Sequence, residues 1–200
     1  MSSYAPMMKG SGQEEGRTPF PTLIRWGGLI AAVAAALYVI NDLVALFFIF
    51  AQGSTIGVSL RNAVTAYARV PLLVGLVALY AHQFKVMGLA GSVGFLEAFV
   101  GTMVSPLYPV WPGVLASLGW ILFGAVSLNE GVYPGAAVVL LVVGAGLSGL
   151  ANALIASGLL VGNPGFVTGV LMVDITFYAA VAGLGFDLFV RRSEKVQRSV

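Results

Sequence analysis

Five residues of this chain combine polar chemistry with apolar surroundings: Asp42, Arg69, Glu97, Asn152 and Asp174. Each lies in a run of Ala, Val, Leu, Gly and Phe with no other charge close by. Two kinds of chemistry suit such a set. An Arg–Asp pair fixes which helices pack together in a membrane. Three carboxyls with one guanidinium as counter-ion form a path for protons or cations.

The spacing places these residues on faces of small side chains. Ala90, Gly94, Gly101 and Ser105 fall at helical steps around Glu97, as Ala145, Ser148, Gly149 and Ala156 do around Asn152. Asp42 continues a stripe through Gly27, Ala31, Ala35 and Tyr38, and Arg69 shares a face with Asn62, Thr65 and Ala66. Small residues let helix backbones approach closely and so mark helix–helix contacts in membranes. The five polar groups are therefore expected to face neighbouring helices. Arg69 is expected to pair with Asp42 or Asp174, with Asn152 beside them. In a six-span arrangement all four sit in the outer half of the bilayer, with Glu97 near the midplane.

The elements that must position these groups follow from length and hydropathy. The chain has 200 residues, 58% hydrophobic and 9% charged. A soluble domain carries about 25% charged residues, so most of this surface must face lipid. A membrane span needs about 20 apolar residues, and six such segments are present, over 22–50, 62–82, 88–106, 111–128, 135–158 and 166–190. The expected fold is all-α, a six-span transmembrane bundle over 22–190. A disordered tail is expected over 1–21 and a basic tail over 191–200. Gln52-Gly53-Ser54, Pro106, Pro109 and Pro112, Pro134-Gly135, and Gly162-Asn163-Pro164-Gly165 mark connections.

Lys9, Arg17, Arg25, Lys85, Arg191, Arg192, Lys195 and Arg198 fall on one side of this arrangement, against Arg61 and Arg69 on the other. The positive-inside rule then puts both termini in the cytoplasm. Trp26 and Trp111 fall near interfaces, where amphipathic rings prefer to lie.

Several chemistries are excluded. With no cysteine there is no disulfide, iron–sulfur cluster or thiolate metal site, and the single histidine, His82, rules out a bis-histidine haem. No HExxH helix, GxSxG elbow or Walker loop occurs. No catalytic residue, metal site or cofactor is expected. The net charge of +2 gives no footprint for nucleic acid. The expected partner is the lipid bilayer, with a second copy or another membrane protein as a candidate through the Gly27/Ala31/Ala35 and Gly28/Ala32/Ala36 stripes.

Residues 76–83 (LVALYAHQ) and 88–102 (GLAGSVGFLEAFVGT) resemble a group of bacterial multi-pass membrane proteins common in high-GC genomes, whose second and third spans are joined by a short turn. The resemblance covers about 27 residues. It implies a bacterial cytoplasmic-membrane location and brings no assigned activity. An apolar residue is common in that group where Glu97 stands here.

The leading expectation is thus a non-enzymatic membrane protein, a packing or partner-binding module. The alternative is a small proton- or cation-linked transporter using the carboxylate cluster. The topology makes a first prediction. A green fluorescent protein fused after Val200 fluoresces, and alkaline phosphatase at the same point is inactive; the reverse pattern would invert the orientation.

Overall fold

The apolar runs between Gly- and Pro-rich breaks are long enough to cross a hydrocarbon core about 30 Å thick as helices, which satisfy their own backbone groups. The computed structural model describes residues 20–52, 56–105, 110–158 and 164–197. Six helices occupy them: α1 (Phe20–Gln52), α2 (Ile56–Gln83), α3 (Gly88–Val104), α4 (Val110–Asn129), α5 (Gly135–Ala156) and α6 (Pro164–Gln197). Among the described residues there is no strand. Five helices are long and apolar enough to span a membrane, and α3 is shorter at 17 residues, about 25 Å of helix.

The outer surface is apolar. Phe47, Tyr67, Leu89 and Trp111 are 62%, 84%, 82% and 76% exposed. A water-soluble monomer does not carry so continuous an apolar coat. The protein is a helical membrane bundle.

The boundaries depart from expectation in two informative places. α2 begins at Ile56, six residues before the expected start at 62, because Ile56-Gly57-Val58-Ser59-Leu60 contains no proline and continues the apolar run. Arg61 therefore lies inside the helix. At the other end of the chain, α6 runs through the expected basic tail to Gln197. Residues 191–197 are mostly good helix formers with no Gly or Pro to stop the helix. Pro112 lies in the first turn of α4, where a missing N–H costs nothing. Of the expected tail over 1–21, Phe20 and Pro21 open α1 instead, with Pro21 in the first turn where its missing N–H costs nothing; residues 1–19 and the breaks at 53–54, 106, 109 and 162–163 lie outside the described residues.

The helices form two groups. α1 lies along both α2 and α6, while α4 lies along both α3 and α5. The groups meet chiefly where α5 packs on α6, and contact between α2 and α3 is slight. Both groups are held close by glycine. A Cβ on Gly28 of α1 would come within 2.8 Å of the Gly185 carbonyl oxygen on α6. A Cβ on Gly119 of α4 would come within 2.7 Å of the Gly94 carbonyl oxygen on α3. Gly27 faces Ala78, and Gly75 faces Ala31. The Gly27/Ala31 and Gly28/Ala32 stripes are thus occupied within the chain, by α2 and α6.

The contact of Trp26 with Phe189, ring centroids 6.2 Å apart, puts the start of α1 beside the last third of α6. At this end the two groups are tied by polar contacts. The Tyr80 and Ser92 hydroxyls are 2.9 Å apart, joining α2 to α3. Ser127 of α4 donates to Gln83 Oε1 at 3.0 Å. The buried Tyr133 hydroxyl donates to the Leu79 carbonyl at 3.0 Å. Burial, and after it the charge of Asp187, push the Tyr133 hydroxyl well above the ordinary tyrosine range, so it stays a donor.

Glycine packing sets a prediction. Gly119→Val should destabilise the bundle by about 1–3 kcal/mol, the usual cost of overpacking, read as a lower Tm in detergent. Gly183→Ala, where an added Cβ meets nothing within 4 Å, should leave Tm unchanged or slightly higher.

Candidate functional site

Antiparallel packing fixes which polar groups share a level. The Tyr38 hydroxyl donates to the Thr65 carbonyl at 2.9 Å, and Asn41 Nδ2 donates to the Arg61 carbonyl at 3.1 Å. These bonds set α1 against α2 with Asp42 beside Arg61. Tyr38 stacks on Tyr178, centroids 4.2 Å apart, which sets α1 against α6 with Asp42 level with Asp174. Arg61 Nε binds Asp42 Oδ1, and its Nη2 binds Asp174 Oδ2. One guanidinium thus clamps α1, α2 and α6. Asp42 is fully enclosed, while the side chains of Arg61 and Asp174 retain 19% and 15% exposure. Ser148 of α5 donates to the other oxygen of Asp174 at 3.4 Å, which carries the network into the second group.

This arrangement corrects the expected pairing. Arg61, not Arg69, holds the two aspartates. Arg69 lies two helical turns further along α2, about 12 Å along the axis, beyond the level of Asp42. Among the described residues it forms no ion pair with a carboxylate. It lies against the Tyr38 hydroxyl and lines a cavity. Glu97 stands outside the cluster. It is half-buried on α3, makes no ion pair among the described residues, and does not line the cavity.

The cavity has a volume of about 250 Å³. All six helices line it. Tyr38, Arg69, Trp120, Ala145 and Phe177 lie around its inner part, near the middle of their helices. Arg61, Ser105, Gly113, Asn152 and Asp174 lie toward the end of the bundle away from the termini. Asn152 donates from Nδ2 to the Ser148 carbonyl of its own helix at 2.9 Å. Its side chain lies over Gly113, where an added Cβ would come 2.9 Å from Asn152 Oδ1. The inner wall is aromatic: Trp120 and Phe177 meet edge to face with centroids 5.3 Å apart.

Of the five polar residues singled out from sequence, Asp174, Arg69 and Asn152 line the cavity and Asp42 anchors the clamp beside it. Arg61 was the residue missed, because a late start for the second span left it in a connection. Among the described residues no group of three or more His, Asp or Glu side chains is placed to hold a metal ion. No protein family, curated protein or solved structure matches the chain, so the site is read from its own geometry.

The two arginines should respond differently to neutralisation. Arg61→Gln leaves two acids in the bundle without their base and should cost about 3 kcal/mol, a marked fall in Tm. Arg69→Gln removes a cation that has no carboxylate, and should leave Tm the same or higher. Equal losses would show that Arg69 shares the clamp.

Proposed function

We propose that this protein is a small, non-enzymatic carrier of a bacterial cytoplasmic membrane. It takes a small polar solute into the cavity from the face opposite its termini and couples that step to a proton or cation. The observation that carries this reading is a cavity of about 250 Å³ lined by residues of both helix groups, with Arg61, Arg69 and Asp174 among them. A cluster serving only as packing has no need of such a space.

Asp174 supplies the coupling. It faces the cavity and also holds Arg61. A proton on its carboxyl, or a cation beside it, weakens the bond between α2 and α6 and so bears on the fit of the whole first group. Asp42, fully enclosed, keeps Arg61 in place meanwhile. The clamp has a packing role within this reading, and that role accounts for its buried half.

Two features make the test direct. The chain has no cysteine, and Asn152 lines the cavity. An Asn152→Cys protein in intact cells should react with a membrane-impermeant maleimide added outside. Purified protein in proteoliposomes should take up solute when a proton or sodium gradient is imposed. Asp174→Asn should uncouple uptake from the gradient, and Ala145→Trp, which fills the cavity, should abolish uptake. No labelling of the Asn152→Cys protein, together with no gradient-driven flux, would leave the clamp as packing alone.

A further inference from the structure

We infer that the solute is a small organic anion, a carboxylate with a short apolar body, and that Arg69 is the residue that binds its charge. The inference rests on the reading of the cavity as a solute site, and goes beyond it in naming the chemistry recognised.

Arg69 is the starting point. A cation near the middle of a bilayer is costly, and such residues are ordinarily paired or turned toward water. The two carboxylates near the cavity are both held by Arg61, and the third intramembrane acid, Glu97, does not reach the cavity. Arg69 instead faces the cavity with Tyr38 beside it. A guanidinium presents a planar fork that suits a carboxylate, and it holds that shape better than an ammonium does.

The remaining walls select within anions. The cavity of about 250 Å³ has the space of about eight water molecules, enough for a carboxylate with a few carbons or one ring. Trp120, Phe177 and Ala145 line the inner part beside Arg69, which favours an apolar body next to the carboxylate, while the hydroxyls and amide of Thr102, Ser105, Ser117, Ser148 and Asn152 line the remainder. Charge balance also links this site to Asp174. Arg61 and Arg69 formally match Asp42 and Asp174, so an entering anion brings one excess negative charge. A proton or cation at Asp174 offsets it.

The test uses the purified full-length protein in detergent, with isothermal titration of isovalerate, benzoate, inorganic phosphate, choline and isovaleramide. We expect the two carboxylates to bind, and phosphate, choline and the neutral amide to bind at least tenfold more weakly. Arg69→Gln should abolish carboxylate binding, and Arg69→Lys, which keeps the charge without the fork, should weaken it about tenfold. Stronger binding of phosphate overturns the carboxylate assignment. Equal binding of choline or the amide, or unchanged affinity in Arg69→Lys, overturns the role of Arg69. Should Arg69→Gln fail to fold, Arg69→Lys decides alone. Flux in proteoliposomes is measured separately: carboxylate binding lost in Arg69→Gln, but with no flux in the parent, supports the anion site and rejects the carrier.

Discussion

Hydrocarbon offers no partner to a guanidinium, so a charged side chain in a bilayer is stable only where protein or trapped water answers it. Arg61 obeys this constraint by reaching two aspartates on two other helices, and much of the architecture follows. The three groups meet only if α1, α2 and α6 hold one antiparallel register. That register is set by contacts along their lengths, from Gly27 against Ala78 through Tyr38 at Thr65 to Gly28 against Gly185. Glycine and alanine bring the backbones close, and the clamp then permits a single alignment. Packing and charge specify the same answer, which is what a well-determined fold requires.

The second helix group has no such ionic device. α3, α4 and α5 are joined by glycine contacts, as at Gly119 and Gly94, and by aromatic packing around Trp120 and Phe123. One group is therefore pinned by charge at one end, and the other is smooth. The polar groups between them divide by level. Uncharged hydroxyl and amide contacts tie the end near the termini, while Arg61 and Asp174 line the cavity toward the opposite end.

The fold was largely legible because each span carries its own signal: a long apolar run bounded by Gly or Pro, with small residues on one face. The pairing of charges was not, because it depends on where a helix begins. Residues 56–60 hold Gly and Ser among apolar residues, a mixture that reads equally as loop or first turn. Starting α2 at 62 moves Arg61 out of the membrane and leaves Arg69 as the only base for Asp42 and Asp174. Starting it at Ile56 reverses their roles. Arg69, singled out as a buried charge, does line the site, with a different neighbour. Glu97 shows the limit of face analysis: its stripe of Gly94 and Gly101 does face α4, but α4 offers it no base, having no ionisable residue at all. The cavity itself has no sequence signature, since residues of all six helices line it and it does not lie along any one helix.

One feature reaches beyond the bilayer. α6 is continuous for 34 residues, about 50 Å, and Asp174 sits in its first third, so the same rigid rod that carries a cavity carboxylate also carries Arg191, Arg192 and Lys195 at its far end. With α1 packed along it at the Gly28–Gly185 contact, the cavity carboxylate and the basic segment belong to one unbroken helix. A tilt of about five degrees at Asp174 would move the backbone at 191–195 by about 2–3 Å. Occupancy of the interior would then be legible at the membrane surface, without any segment having to unfold to report it.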